Sequence, residues 1–229
     1  MSIHAFAQNP SKQRTETFSG KITKKVSVKY LAYLPKDYNN SNEKWPVIFF
    51  LHGSGERGSD LELVKKNGLP KLVEAADYPF IVISPQCPEN TDWDLNALNA
   101  LYTEILKKYK VDRSRIYLTG LSMGGYGTWA WAIESPDKFA AIAPVCGGGR
   151  AFMVRRIKDL PVWAFHGLKD DVVPVSESER MVNALKKINE NVKLTIYPEA
   201  DHDSWTLTYS NPELYKWFLE HKITRSAGY

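Results

Sequence analysis

The sequence predicts an α/β fold with a mainly parallel central sheet and helices on both of its faces. Three observations lead there. Short continuous apolar runs recur at 47–51, 80–84, 116–119, 140–145, 162–165 and 193–197, as expected of strands buried on both sides. Segments with helical periodicity separate most of these runs. Strands that alternate with helices in this way form a sheet that is mainly parallel and covered on both faces.

Each element has its own justification. Residues 1–14 read as a flexible N-terminus. Within it, Ala5-Phe6-Ala7 before Gln8 resembles the end of a secretory signal peptide, although the charged and apolar regions that should precede it are absent. The location expected is secreted or periplasmic if this is a remnant of such a peptide, and cytoplasmic otherwise. Residues 15–19 and 23–34 are rich in β-branched and aromatic residues and flank Gly20, which predicts an N-terminal antiparallel strand pair. A polar, turn-rich stretch leads to the run 47–51. The segment 95–108 carries apolar residues at 95, 98, 101, 102, 105 and 106, one stripe of a helix. The segment 123–134 is a helix of small and aromatic residues. Ser176 and Glu179 form a capping box ahead of a helix at 181–188, and a further helix is expected at 211–221. Trp129, Trp131 and Trp217 fall on these helices and are assigned to the core. Without repeats, low-complexity tracts or a shift in composition, residues 15–229 are expected to form a single domain with no separate lid.

Composition removes several function classes. Of 229 residues, 43% are apolar and 24% charged, ordinary for a globular chain. The net charge is +4 and the basic residues occur as scattered pairs such as Lys24-Lys25 and Lys107-Lys108, so no nucleic-acid footprint is expected. No apolar run approaches the roughly 18 residues of a membrane span. Cys87 and Cys146 are too few for a disulfide scaffold, and their spacing matches no zinc site. No feature of the sequence specifies an oligomeric state.

Ligands of parallel sheets bind beyond the carboxyl ends of the strands, so the chemistry should follow the apolar runs. Gly120-Leu121-Ser122-Met123-Gly124 follows the run 116–119 and opens a helix. This is G-x-S-x-G in the strand–turn–helix setting that lifts a serine above a sheet, and it makes Ser122 the candidate nucleophile. A serine hydroxyl needs a base. His202 lies after the last apolar run, where a loop would hang over the same edge of the sheet. His52 and His166 each precede a glycine at a strand end and are read as structural, with ring nitrogens bonded to nearby backbone. His4 and His221 lie in the terminal segments. An acid to orient His202 is expected after the run 162–165, where Asp170 and Asp171 are adjacent; the residues alone leave both open. Acyl transfer also needs donors for a developing oxyanion. The backbone N–H of Met123 is one candidate. The other is the N–H of Ser54, in the glycine-rich loop His52-Gly53-Ser54-Gly55-Glu56-Arg57-Gly58 after the central run. Trp93 and Trp205 are candidates to stack on an aromatic acyl group or a sugar face.

Taken in order, Leu51 through Gly58, Ser84-Pro85-Gln86-Cys87-Pro88, Gly120 through Gly125, His166-Gly167 through Pro174, and Asp201-His202 resemble the phospholipase/carboxylesterase branch of the α/β hydrolases. Within it the chain is similar to small bacterial esterases called "predicted peptidase" and to the feruloyl and acetyl xylan esterases of carbohydrate esterase family 1. The resemblance spans residue 30 onward. It implies an α/β-hydrolase fold and ester hydrolysis through an acyl-enzyme, with no metal or cofactor. It also implies that the acid is Asp170, the D of the family pattern H-G-x-x-D-x-x-V-P. Asp171 then has the lesser role of bonding loop amides. In the strand order usual for such folds, two strands separate Cys87 from Cys146, too far for a disulfide. The expected substrates are small soluble esters, including acyl or feruloyl esters of plant polysaccharides. The alternative is a serine peptidase of the same fold, because the same triad can cut amides. Such peptidases commonly carry an access-restricting domain, which is not expected in this sequence. A binding protein on an inactive hydrolase fold should have lost a triad member, and all three are present.

Overall fold

The computed structural model describes residues 14–223, so the expectations for residues 1–13 lie outside it. Seven strands form one sheet: β1 (Tyr30–Tyr33), β2 (Trp45–Leu51), β3 (Ile81–Pro85), β4 (Val111–Leu121), β5 (Ala141–Val145), β6 (Val162–Gly167) and β7 (Val192–Tyr197). Their order across the sheet is β1-β3-β2-β4-β5-β6-β7. All neighbours pair in parallel except β1 with β3, which are antiparallel. The helices are α1 (Gly68–Leu72), α2 (Leu95–Lys108), α3 (Met123–Glu134), α4 (Ser176–Lys186), α5 (Trp205–Ser210) and α6 (Pro212–Glu220).

Successive side chains of a strand point to opposite faces, and here both faces are covered. Val47, Phe49 and Leu51 of β2 enter one core with Leu98 and Ile105 of α2, Trp131 of α3 and Met181 and Leu185 of α4. Ile48 and Phe50, on the opposite face, enter a second core with Leu69 of α1, Tyr209 of α5 and Trp217 and Phe218 of α6. Trp129, Trp131 and Trp217 are buried, as their helical positions predict. Among the described residues, no helix is long and apolar enough to cross a membrane.

Three local expectations need correction. The antiparallel pair exists at the N-terminal side of the described chain, but it joins Tyr30–Tyr33 to β3. Residues 15–19 form no strand, nor do residues 23–29. Their β-branched side chains meet no second strand to pack on and stay largely exposed, so propensity alone does not order them. Ser176 does not cap a helix; it is the first residue of α4, with Val175 in the cap position and no side-chain cap. The amide of Glu179, which a capping serine would have taken, instead bonds Val175 O at 3.1 Å, because the helix starts immediately after Val175. Finally, β4 starts at Val111, five residues before its apolar run. The polar stretch between Val111 and Ile116 is carried as an irregularity in the β2–β4 register, with the Asp112 carboxylate taking the amide and hydroxyl of Ser114 and Nε of Arg115.

Caps elsewhere follow the sequence. Asp94 accepts the amides of Asn96 and Ala97 at the start of α2, and Asn211 accepts that of Glu213 ahead of Pro212 in α6. The consequence for the site lies at the carboxyl edge of the sheet. The chain leaves β2 at His52, β3 at Gln86, β4 at Ser122, β5 at Cys146 and β6 at Leu168, all on that edge.

Candidate active site

Ser122 occupies the single-residue turn between β4 and α3, with φ 52° and ψ −118°. A positive φ is costly for a residue with a side chain and persists only where the surroundings hold it. They do so here by two means. The Ser122 amide donates to Val145 O at 3.0 Å and lies 3.2 Å from the Cys146 sulfur. The turn also presses α3 onto β2: a Cβ at Gly124 would fall 1.9 Å from Leu51 O, so only glycine fits there.

The loop after β7 brings His202 Nε2 to 3.0 Å from Ser122 Oγ. Its Nδ1 lies 2.8 Å from Asp170 Oδ2, on the loop after β6. The other carboxylate oxygen, Oδ1, accepts the amides of Val172 at 3.0 Å and Val173 at 2.8 Å. Burial pushes the Asp170 carboxyl up, but the hydrogen bonds from His202, Val173 and Val172 outweigh it and hold it below the usual carboxylate range. Bonding of the loop amides, the role first assigned to Asp171, therefore belongs to Asp170; Asp171 is exposed.

Two backbone amides stand near the serine. Met123 is the first residue of α3, so its N–H has no carbonyl one turn earlier in the helix. Ser54 opens a 3-10 turn whose bonds run from Glu56 N to Gly53 O and from Arg57 N to Ser54 O, and the Ser54 amide takes no part in them. The loop runs beside the nucleophile: a Cβ at Gly53 would lie 3.6 Å from Ser122 Cβ.

His52 is buried, accepts the Cys87 amide at Nε2 (2.9 Å), and places Nδ1 2.6 Å from Gly53 O. Burial lowers its pKa below the usual histidine value. It is thus held on backbone, as its sequence position predicts. Trp93 packs on His52 with ring centres 4.8 Å apart and lines a cavity of about 460 Å³ beside the serine. Met123, Tyr126, Gly127, Ala130 and an Arg57–Asp92 ion pair complete its walls. Trp205 is not part of that wall. It sits at the start of α5, edge-on to His202 with centres 5.2 Å apart, and buttresses the imidazole.

Three neighbours escaped the sequence reading. Arg57 and Tyr126 reach the cavity from the glycine-rich loop and from α3. Cys146 lies beneath the site at a φ of 40°. Its sulfur, an Asp170 oxygen and a His202 nitrogen fall within 4.8 Å of one another, as ligands of a metal would. Those atoms already serve the bonds just described: the sulfur lies on the Ser122 amide, and the carboxylate is bonded to the imidazole. Both cysteines are free and buried. The strands β2 and β4 lie between the two that precede them, as expected.

Comparison with known proteins places the chain among esterases of known sequence and fold. The chain is 30% identical over 196 residues to the bifunctional acetylxylan esterase/xylanase XynS20E of Neocallimastix patriciarum, covering 80% of this chain and 28% of that protein. It is 24% identical over 194 residues to a probable feruloyl esterase C of Aspergillus terreus, covering 81% of this chain and 70% of the relative. Among solved structures, a thermostable esterase superposes with a TM-score of 0.74 at 38% identity, over 86% of this chain and 60% of the other. The chain therefore spans under a third of the first relative and about three fifths of that esterase. Residues 89–210, more than half of the chain, match the Phospholipase/Carboxylesterase family, to which this chain belongs.

Proposed function

We propose that the chain is a serine carboxylesterase that hydrolyses small soluble esters through an acyl-enzyme. The observation that carries this reading is the continuous relay from Ser122 Oγ to His202 Nε2 (3.0 Å) and from His202 Nδ1 to Asp170 (2.8 Å). In the mechanism it supports, Ser122 Oγ attacks the ester carbonyl while His202 Nε2 takes its proton. The Asp170 carboxylate keeps the other imidazole proton on Nδ1 and stabilises the imidazolium. The amides of Met123 and Ser54 receive the developing oxyanion. His202 then hands its proton to the departing alcohol. A water, deprotonated by the same imidazole, attacks the acyl-serine and releases the acid and the free serine.

The substrate class we propose is acyl or feruloyl esters of plant polysaccharides. The cavity beside Ser122 supports it, since Trp93 and Tyr126 offer flat faces to an aromatic acid or a sugar. The acetylxylan and feruloyl esterase names of the two relatives point the same way. Ser122→Ala tests the reaction: it should fold and lose on the order of 10⁶ in turnover of p-nitrophenyl acetate. Retention of a tenth of the wild-type rate would overturn the reading. Rates on acetylated xylan, methyl ferulate and p-nitrophenyl esters of increasing chain length test the substrate class. A preference for long aliphatic chains over the first two would refute it.

A further inference from the structure

His166 takes no part in the steps above, yet it is fully buried against the triad acid. It lies in β6, and its Nε2 is 3.2 Å from Asp170 Oδ2, the same oxygen that His202 Nδ1 approaches to 2.8 Å. Its hydrogen bonds fix where its protons are. Nε2 is 2.9 Å from Val173 O. A carbonyl only accepts, so Nε2 carries a hydrogen. Nδ1 is 2.7 Å from Ser178 Oγ, and that hydroxyl is 3.0 Å from Gly147 O. When the single hydroxyl hydrogen goes to the Gly147 carbonyl, Ser178 Oγ accepts from Nδ1. With every bond of the network made, both nitrogens of His166 carry hydrogen.

We propose that His166 is an imidazolium in a buried ion pair with Asp170, so that two histidines share the triad acid, and that its charge sets the acid limit of the range in which His202 works as a base. The part concerning activity rests on the esterase reading; the ion pair itself does not. His166 is a positioning residue and touches no substrate. Its bonds tie the Asp170 loop to Ser178 of α4 and, through that hydroxyl, to Gly147 beyond β5.

The electrostatic consequence has a definite sign. The two facing nitrogens lie at most about 6 Å apart, since both rest on one carboxylate oxygen. A positive His166 opposes a second positive charge on His202 and so keeps His202 available as a base at lower pH. The other ionisable groups around the pair are Cys146 at the end of β5, Tyr126 of α3, Glu177 and Arg180 of α4, and Asp203 beside His202. None of them is hydrogen-bonded to the His166 ring, whose polar neighbours are Ser178, Val173 O and Asp170.

The test combines a spectrum with kinetics. Imidazole ¹⁵N signals of the wild-type protein at pH 7.5 should show one histidine, missing in His166→Gln, with both nitrogens protonated. A His166 ring with one unprotonated nitrogen would overturn the proposal. In kcat/KM for p-nitrophenyl acetate, His166→Gln and Ser178→Ala should both move the acid limb upward. A limb that stays in place while kcat falls would mean that the ring only packs, and the proposal would be wrong. If His166→Gln does not fold, Ser178→Ala removes the acceptor of Nδ1 and gives the same readout. Because the spectrum needs no substrate, it decides on the ion pair even if Ser122→Ala shows the esterase reading to be mistaken.

Discussion

Asp170→Asn is nearly isosteric, so its effect turns on which way the new amide faces. In the wild type, Oδ1 accepts the amides of Val172 and Val173, at 3.0 and 2.8 Å. Asparagine keeps both bonds only with its oxygen in that place, which turns its NH₂ toward His202 Nδ1. A donor then faces a donor, and the imidazole proton moves to Nε2, the nitrogen 3.0 Å from Ser122 Oγ. In that tautomer His202 donates to the serine and cannot take its proton. The opposite orientation preserves the tautomer but sets the NH₂ against the part-buried Val172 amide and the buried Val173 amide. Two unsatisfied donors cost about 2–6 kcal/mol. The expected loss of about 10⁴ in kcat corresponds to about 5 kcal/mol, so flipping offers no easy escape. The assay is turnover of p-nitrophenyl acetate at pH 8, with near-ultraviolet circular dichroism to establish folding. Asp171→Asn, at an exposed side chain, should stay within about twofold of wild type. A folded Asp170→Asn with more than a tenth of the wild-type rate, or a dead Asp171→Asn, would refute the assignment of the acid.

Three further outcomes are expected. Since the Asp170 carboxyl is held below the usual range, its ionised form stabilises the native state above that range, and the contribution is lost as pH falls through the depressed native value. The Tm gap between wild type and Asp170→Asn should therefore narrow below about pH 4; a gap that persists unchanged to pH 2 would contradict this. Cys87 and Cys146 are buried, and burial pushes the Cys146 thiol up to about 12, so native protein should resist Ellman's reagent while denatured, unreduced protein yields both thiols. Rapid native labelling would be inconsistent with the burial of these side chains. In Gly127→Ala, the new Cβ would meet Trp93 Cδ1 at 2.6 Å and Leu51 Cδ1 at 3.0 Å, which displaces the indole from the cavity wall. KM for methyl ferulate should rise several-fold; an unchanged KM would put the acyl group elsewhere.

What the sequence by itself determined was whatever depends on short-range order. The apolar runs specify β2 through β6, because a strand buried on both faces must be continuously apolar; β7, at the sheet edge, carries the exposed Lys193 and is only half-buried beyond it. The glycines around Ser122 are legible for a similar reason: a turn that brings α3 against Leu51 O tolerates no other residue at Gly124. The place of His202 after the last run was legible in the residues, whereas the choice of Asp170 over Asp171 came only from the family resemblance. The pairing of β1 was not legible, because strand propensity at residues 15–34 says nothing about which edge is free, and only the assembled sheet offers β3 as partner. The start of α4 was misplaced because a capping motif and a helix's first residue look alike until the carbonyls of Pro174 and Val175 are seen to take the first amides. The site's inner shell was likewise decided by the tertiary structure alone. Ser178, Gly147 and Asp170 converge on His166 from three separate segments, and no spacing records that convergence. Donors and acceptors that meet only in the folded chain place a histidine that read as structural 3.2 Å from Asp170 Oδ2.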